Sequence, residues 1–429
     1  MLMGNLNFKS GLVAFQVCTV LTLSACLQIK TLKPVINDDK STSAPSAGIG
    51  CDPSTVASAN GSVGYPFQIW NNSDLDTLNV HNGIGMNVVL CADLDFANGA
   101  IIPYPIFKGV FNGNHHSISN ATINEYGLFQ KFDGAIAKDL SLNHFTVHAA
   151  TQHTGILVGM VKDSSVTGMT ISNSVVTSSS GFYVGGLIGL MMNSVTTGSL
   201  IKQNKVISTQ VTLGSFAPAG GLIGALAAEN LFNDVITQNR VAVSISNTAS
   251  TYCVGGLLGY VANADITQNE VNITFLTGGF ERLGAMIGCF ETAGGALPTS
   301  IKNNSITFSG LVGDGFARVG GVYGTSETSN NATVDSNWIN GTVTAANASL
   351  TGVVFGHQNQ GTVSILNTYW HNDGSGLPAY QSCAGTCSID GNSSSVNAYT
   401  TTPFTGGFWS DASIWTFTNG APPTLVGLP

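Results

Sequence analysis

Apolar residues along the chain form short runs that glycine interrupts at regular intervals. Seven pentapeptides carry glycine at their first and fifth positions: GILVG at 155, GGLIG at 185 and 220, GGLLG at 255, GAMIG at 284, GGVYG at 320 and GVVFG at 352. Their starts are 30, 35, 35, 29, 36 and 32 residues apart, which indicates a repeated structural unit. A related GLFQK at Gly127 is interpreted as a degenerate first copy.

A second pattern lies between the glycine motifs: an apolar residue, two spacers, an asparagine, one spacer and another apolar residue. Beyond the asparagine, apolar and polar side chains alternate, which is typical of a strand with one buried face. We expect a bend at the asparagine, because asparagine tolerates left-handed backbone better than other non-glycine residues. The matching residues are Asn143, Asn204, Asn239, Asn269, Asn304 and Asn337.

These two patterns predict an all-β parallel β-solenoid, or β-helix. A repeat of a few short strands buries its apolar face only by stacking on neighbouring repeats. In such a stack, glycines permit sharp turns or close packing between coils, and the asparagines form a ladder of bonded amides. A helical array is the alternative for this repeat length, but strings such as ITQNEV are poor helix formers.

The first 50 residues differ from the rest. An apolar stretch, GLVAFQVCTVLTL, follows Lys9 and ends at LSAC, which resembles a bacterial lipobox. Residues 1–25 are therefore predicted to be a signal peptide and Cys26 the lipid-modified residue, which gives a membrane partner through acyl chains. An ordinary signal peptide cut after Ala25 is the alternative. Residue 27 is Leu rather than Asp, which favours the outer membrane, and residues 26–50 are predicted to be a flexible tether.

Charge and cysteine content narrow the function. Charged residues make up only 9% of the chain, the net charge is −9, and no basic stripe is present, so a nucleic-acid partner is excluded. In an exported protein, cysteines form disulfides. We predict a Cys383–Cys387 clip; Cys51 and Cys91 flank the start of the folded part and their pairing stays open. The state of the two remaining cysteines, at 253 and 289, is also left open, and no spacing matches a zinc site.

The glycine motifs resemble the GLUG motif of bacterial surface and adhesin-like proteins. The stretch FQIWNNSDLDTLNV to NEYGLF resembles the region that precedes such repeats, with Asp93 and Asp95 in its acidic positions. The tail from NTYWHNDGSG onwards resembles the usual closing segment, with Trp409 and Trp415 in place. The resemblance implies a right-handed β-helix with an N-terminal cap and leading strands at 51–125, repeats at 126–370 and a closing segment at 371–429. The resemblance implies a cell-surface or envelope role and does not by itself imply a reaction.

Catalytic patterns are scarce in the sequence. Sugar hydrolysis needs two carboxylates at a defined separation, and no recurring acidic pair is present; a turn-capping role is favoured for Asp93 and Asp95. The chain contains no HExxH, GxSxG or phosphate-loop motif, and no metal or cofactor is predicted. Core or turn packing is favoured for five aromatic residues near the glycine motifs, and sugar binding is the alternative if they stack on one face: Phe182, Tyr183, Tyr252, Phe316 and Tyr323.

The sequence thus predicts a non-enzymatic cell-envelope lipoprotein at the outer membrane, exposed at the cell surface. Its polar face would serve adhesion, through glycans or through molecules on a host or neighbouring surface. The alternatives are a carbohydrate-active β-helix enzyme, either a lyase or a hydrolase, and a purely structural surface rod.

Overall fold

The computed structural model describes residues 50–429 apart from 77, 79–83, 150–152, 180–182, 193–197, 215–217, 228–233, 249–251, 277–278, 291–297, 314–316, 327–330, 346–349, 372–376, 397–403, 405–408 and 419–420. The described chain is all-β, with one 3-10 helix (Pro53–Ser58) and one short α-helix, α1 (Asn72–Asp76). Within these residues, no helix is long and apolar enough to cross a membrane.

Strands of the leading region and of the first coils precede the regular repeats. They are β1 (Phe67–Ile69), β2 (Ile84–Leu90), β3 (Leu94–Ile101), β4 (Tyr104–Asn112), β5 (Ser117–Asn124), β6 (Phe129–Asp133), β7 (Ile136–Lys138), β8 (Ser141–Ala149), β9 (Val158–Lys162), β10 (Ser165–Thr167), β11 (Thr170–Ser172) and β12 (Val175–Ser178).

The regular coils follow, with four strands in each. They are β13 (Val184–Gly185), β14 (Ile188–Met192), β15 (Leu200–Lys202), β16 (Lys205–Leu213), β17 (Ala219–Gly220), β18 (Ile223–Ala227), β19 (Asp234–Thr237), β20 (Arg240–Asn247), β21 (Val254–Gly255), β22 (Leu258–Val261), β23 (Ala264–Thr267), β24 (Glu270–Phe275), β25 (Arg282–Gly284), β26 (Ile287–Phe290), β27 (Thr299–Lys302), β28 (Ser305–Gly313), β29 (Arg318–Gly320), β30 (Tyr323–Ser326), β31 (Ala332–Asp335), β32 (Trp338–Ala345), β33 (Thr351–Gly352), β34 (Phe355–Gln358), β35 (Thr362–Leu366) and β36 (Tyr369–His371).

The last strands are β37 (Tyr380–Cys383), β38 (Thr386–Ile389), β39 (Ser394–Val396), β40 (Trp415–Thr416) and β41 (Thr424–Leu425). The first three continue the parallel stacks, because β37 pairs with β34, β38 with β35 and β39 with β36. By contrast, β40 and β41 pair with each other in antiparallel fashion.

Each regular coil passes through four parallel sheets in turn. In the coil that holds β17, β18, β19 and β20, these strands belong to stacks that we call sheets A, B, C and D respectively. Sheet A has six short strands and sheet D has twelve, while sheets B and C join through β4 into one set of 21 strands. The result is a parallel β-solenoid, as the repeat pattern predicts.

The core fills the inside of the coils with one apolar column for each sheet. Sheet D contributes Val241 and Val271, and sheet C contributes Ile236 and Ile266, all fully buried. These residues pair in register between neighbouring coils, so each side chain packs on its equivalent one coil away. Burial of such side chains stabilises the fold by about 1.5–3 kcal/mol each.

The recurring glycines of one motif avoid three separate backbone clashes. A Cβ on Gly185 would lie 2.0 Å from the Ile188 carbonyl oxygen of the same turn. A Cβ on Gly186 would lie 2.2 Å from the Gly221 carbonyl oxygen of the next coil, and one on Gly189 would lie 2.4 Å from the Thr154 nitrogen of the previous coil. Glycine therefore stands inside the apolar run because the backbones approach too closely there for any side chain.

The asparagine ladder runs through the interior between sheets C and D. Asn204, Asn239, Asn269, Asn304 and Asn337 are fully buried. In each step, the backbone nitrogen and the side-chain Nδ2 of one asparagine both donate to Oδ1 of the next. The distances are 3.0 and 3.0 Å from Asn239 to Asn269, and 2.9 and 3.1 Å from Asn269 to Asn304.

Two details differ from the sequence-based expectation. The left-handed residue is the one before each ladder asparagine, such as Gln238 with φ 57° and Gln268 with φ 56°, so the asparagine side chain is left to bond between coils. Asn143 lies outside the ladder, because it pairs in register with Ser172 inside sheet D. Leu140, the residue just before strand β8, occupies the position that the ladder asparagines have in later coils. Asn143 matches the sequence motif because the left-handed backbone at His144, with φ 54°, shifts by one residue which side chains of that strand face the core.

Substitution of a motif glycine tests the close approach of the backbones. We expect Gly185→Ala to lower the free energy of unfolding by about 3 kcal/mol, because its methyl group would overlap a carbonyl that has no room to move. Gly391→Ala is the matched control, since nothing lies within 4 Å of a Cβ at that position. Equal melting curves for the two variants would contradict this explanation.

A substitution in the middle of the asparagine ladder tests its contribution to stability. Asn269→Leu removes the acceptor for two Asn239 donors and leaves the Ile236 carbonyl without its 2.9 Å donor. We expect a loss of about 3 kcal/mol in chemical denaturation, because each buried polar group left unsatisfied costs about 1–3 kcal/mol. Asn272→Leu, at an exposed position of the same strand, should change stability little; a similar loss in both variants would argue against the ladder.

Candidate functional site

A strained corner connects sheet D to sheet B before sheet A begins. Strand β5 ends at Asn124 and β6 starts at Phe129. Between them, Glu125 has φ 70° and Tyr126 has φ 60°, two successive non-glycine residues in the left-handed region. Such residues cost about 1–3 kcal/mol each and cluster at binding and catalytic sites.

Hydrogen bonds to the next coil hold this corner in place. The Glu125 nitrogen donates to the His148 carbonyl at 2.8 Å, and the Gly155 nitrogen donates to the Tyr126 carbonyl at 2.9 Å. The backbone of the next coil therefore fixes the strained conformation, and the direction in which the Tyr126 side chain leaves the corner is fixed with it.

A groove that we call the corner groove opens beside Tyr126, with a volume of about 280 Å³. That volume is close to the lower end for small-molecule sites, about 300 Å³. Its lining mixes apolar, aromatic and polar side chains: Pro105, Ile106, Tyr126, Gln130, Lys131, His153, Gly159 and Met160.

The floor of the corner groove depends on Gly159, the fifth residue of the GILVG motif. A Cβ there would lie 2.7 Å from the His153 carbonyl oxygen and 3.0 Å from Cδ1 of Tyr126. The same glycine that permits close stacking of the coils therefore leaves room for the Tyr126 ring against the backbone.

Aromatic packing fixes the other wall. The His153 ring stacks on the Tyr183 ring of the next coil, with centroids 5.0 Å apart and planes 17° from parallel. Burial lowers the pKa of His153 below its usual range, so the imidazole is neutral at pH 7, and its Nδ1 atom is fully buried. Next to the Gln130 amide and the Lys131 ammonium, this arrangement suits a small polar ligand with an apolar face.

A second groove of about 340 Å³ lies on the sheet D side of the corner. Its described lining residues are Asn124, Glu125, His148, Ala149, Thr177 and Ser179. Glu125 is the only carboxylate among these residues, whereas hydrolysis of a glycosidic bond by the usual route uses two.

The acidic residues singled out in the sequence stabilise turns. Oδ1 of Asp93 accepts from the Ser117 nitrogen at 2.7 Å and lies 3.3 Å from Nδ1 of His116. Oδ1 of Asp95 accepts from the Ala97 nitrogen at 2.8 Å. The backbone hydrogen bonds lower the pKa of both carboxyl groups, since they favour the charged form.

The cysteines are paired in three disulfides within the described residues: Cys51–Cys91, Cys253–Cys289 and Cys383–Cys387. The second of these joins neighbouring coils beside sheets A and B. The predicted lipid site, Cys26, and the tether lie outside the described residues. No group of three metal-ligating side chains occurs in the part of the chain that the structure describes.

The described aromatic residues near the glycine motifs do not share one exposed face. Tyr323 is fully buried and stacks on Phe355 at 4.9 Å, so it belongs to the core. Tyr252 packs over the Arg282 guanidinium at 3.7 Å, while Phe182 and Phe316 lie outside the described residues. Of the three described members, Tyr183 is the one that reaches the corner groove, through His153.

Sequence reasoning missed Tyr126, the central residue of the site. One feature of the sequence could have indicated it: Tyr126 stands just before the degenerate motif GLFQK, where the regular pattern of the repeat is broken.

Comparisons with known proteins identify no family for this chain. No family model matches the chain, and no curated protein matches it. The crystal structure of a Bacteroides ovatus protein, described as "a putative immunoglobulin A1 protease", aligns over 86% of this chain and 94% of its own, with 16% identity and a TM-score of 0.39.

Proposed function

We propose that this protein is a non-enzymatic, lipid-anchored solenoid of the bacterial cell envelope that binds glycans in an adhesin-like manner. The corner groove carries the proposal. Its strained corner holds Tyr126 in the lining of a groove that also presents an aliphatic patch, a neutral imidazole and an amide. A sugar ring has one apolar face and several hydroxyl groups, and this lining complements both.

The export and anchoring part of the proposal has two supports. Three disulfides are typical of an exported protein, because cytosolic thiols are kept reduced. The LSAC sequence that ends at Cys26 resembles a lipobox, which would give acyl chains that hold the protein on the outer membrane. The GLUG-like motifs are consistent with a place at the cell surface.

The handedness and the ends complete the proposed architecture. We propose right-handed winding, because parallel strand connections are right-handed in about 98% of cases. We also propose that the closing segment protects the last coils through aromatic packing: Trp409 stacks on Trp415 at 4.5 Å, and Tyr369 contacts Phe404 at 5.2 Å. The leading region, through β1 to β3, would protect the other end of the solenoid.

The same glycan-binding experiment distinguishes two rival functions. A carbohydrate-active enzyme would use Glu125 and His148 of the second groove, which lies across the corner from Tyr126. A structural rod would have no ligand. Release of shortened sugars from a polysaccharide would support the first rival, and absence of any glycan binding would support the second.

The binding function is tested with Tyr126→Gly and a glycan array. Glycine suits left-handed backbone, so this variant should stay folded, with a melting temperature close to that of the parent. We expect glycan affinity to fall by about tenfold or more, because the loss of a central aromatic anchor costs at least about 1.4 kcal/mol. Tyr65→Ala, a change at a half-exposed ring outside the groove, should bind as the parent does. Unchanged binding by Tyr126→Gly would overturn the assignment of the groove.

The anchor is tested by Cys26→Ser in bacterial cells. The variant is expected to leave the membrane fraction, since its acyl chains would be lost. The parent protein, with Cys26 intact, should also lose its C-terminal half when protease is added to intact cells. A protein that resists the protease until the outer membrane is opened would lie in the periplasm, and the adhesin-like role would then be wrong.

A further inference from the structure

Three lysines surround one aspartate beside the corner groove. Lys131, which lines the groove, and Asp133 lie on the outer face of β6, and Asp133 is paired in register with Lys162 of β9. Nζ of Lys108 lies 2.7 Å from Oδ2 of Asp133, and Nζ of Lys131 lies 3.8 Å from the same oxygen. Four charged side chains from three successive coils thus meet at one end of the groove.

The cluster has an excess of positive charge. A hydrogen bond from Lys108, followed by the charges of Lys131, Lys108 and Lys162, lowers the pKa of Asp133, so this carboxylate is ionised at pH 7. It balances one of the three ammonium groups and leaves a charge of about +2 in the cluster, of which Lys131 lines the groove. The chain as a whole carries −9, so this local sign is the opposite of the average.

Lys131 is the member of the cluster placed to meet a ligand. Lys108 makes the hydrogen-bonded contact with Asp133, whereas the 3.8 Å separation from Lys131 is longer than a hydrogen bond. An ammonium group has three donors, so that of Lys131 retains donors for an anion in the groove. His153 also lines the groove, and because its imidazole is neutral it adds no charge.

We infer that the corner groove selects sugars that carry an anionic substituent, a carboxylate or a sulfate. This inference rests on the proposed glycan-binding function and adds the chemical class of the ligand. The apolar face of the sugar packs between Tyr126 and Ile106, and its anionic group lies at Lys131. Asp133 is a positioning residue, since it gathers the lysine side chains without lining the groove.

The test compares matched ligands that differ only in charge. Binding of the full mature protein is measured for a glucuronic-acid oligosaccharide, its sulfated counterpart and the neutral glucose counterpart, at low and high salt. We expect a preference of about tenfold or more for one or both acidic ligands, and we expect that preference to fall as salt rises. Which acidic ligand binds more tightly identifies the anionic group.

Variants assign the preference to the lysine cluster. Lys131→Gln should reduce affinity for the acidic ligand to that for the neutral one, and Lys162→Gln should have the same effect to a smaller extent. Lys302→Gln, at a partly exposed position several coils away, is the matched control and should keep the full preference. Melting temperatures of the variants show whether each is folded.

The outcomes separate the two proposals. Equal affinity for acidic and neutral sugars would overturn this inference and leave glycan binding in place. Failure of all the sugars to bind would overturn glycan binding and this inference together. If inorganic sulfate or acetate displaced the acidic sugar at the same concentration as the sugar itself, the groove would be a simple anion site, and the sugar-selective inference would be wrong.

Discussion

Each coil of this protein leaves both edges of its strands unpaired, and only another coil about 4.8 Å away completes those hydrogen bonds. This requirement explains the residues that recur most strictly. Two glycines occur in every motif, as at Gly185 and Gly189, because the backbones of successive turns pass within contact distance there. Asparagine recurs where the chain bends between sheets C and D, because its amide supplies the hydrogen bonds that a bent backbone cannot make alone.

Repetition made most of the fold predictable from one sequence. The parallel solenoid and the ladder from Asn204 to Asn337 follow from periodic patterns, because equivalent residues meet one coil apart. Local detail was harder to predict. Asn143 matches the motif but lies outside the ladder, because the left-handed residue of its coil is Asp139 and the ladder position that follows is held by Leu140. The match arises from the left-handed backbone at His144, and a bulge of this kind leaves no pattern in the residue types. The disulfide between Cys253 and Cys289 was also undetermined, because their offsets in neighbouring repeats differ.

The candidate site was the least predictable feature because it depends on a break in the repeat. Sheet A begins only at the bridge between Thr154 and Val184, so the earlier coil turns its corner with two strained residues instead of a short strand. The corner groove lies beside these two strained residues. Periodic analysis emphasises what is common to all the coils, whereas Tyr126 and its surroundings are peculiar to one. Functional sites often depart from the rules that specify the rest of a fold.

The spacing of the glycine motifs varies from 29 to 36 residues, yet the sheet B strands that contain the end of each motif pair in register from one coil to the next. Extra residues are therefore accommodated between strands, while the glycine turn and the ladder asparagine keep the same place in each coil. A gene duplication that copied one whole coil would carry both contacts with it and would join to its neighbours without new interactions. The length of the molecule can thus evolve by whole coils downstream of β14, while the corner groove, built from the earlier coils and from Tyr183, is left intact.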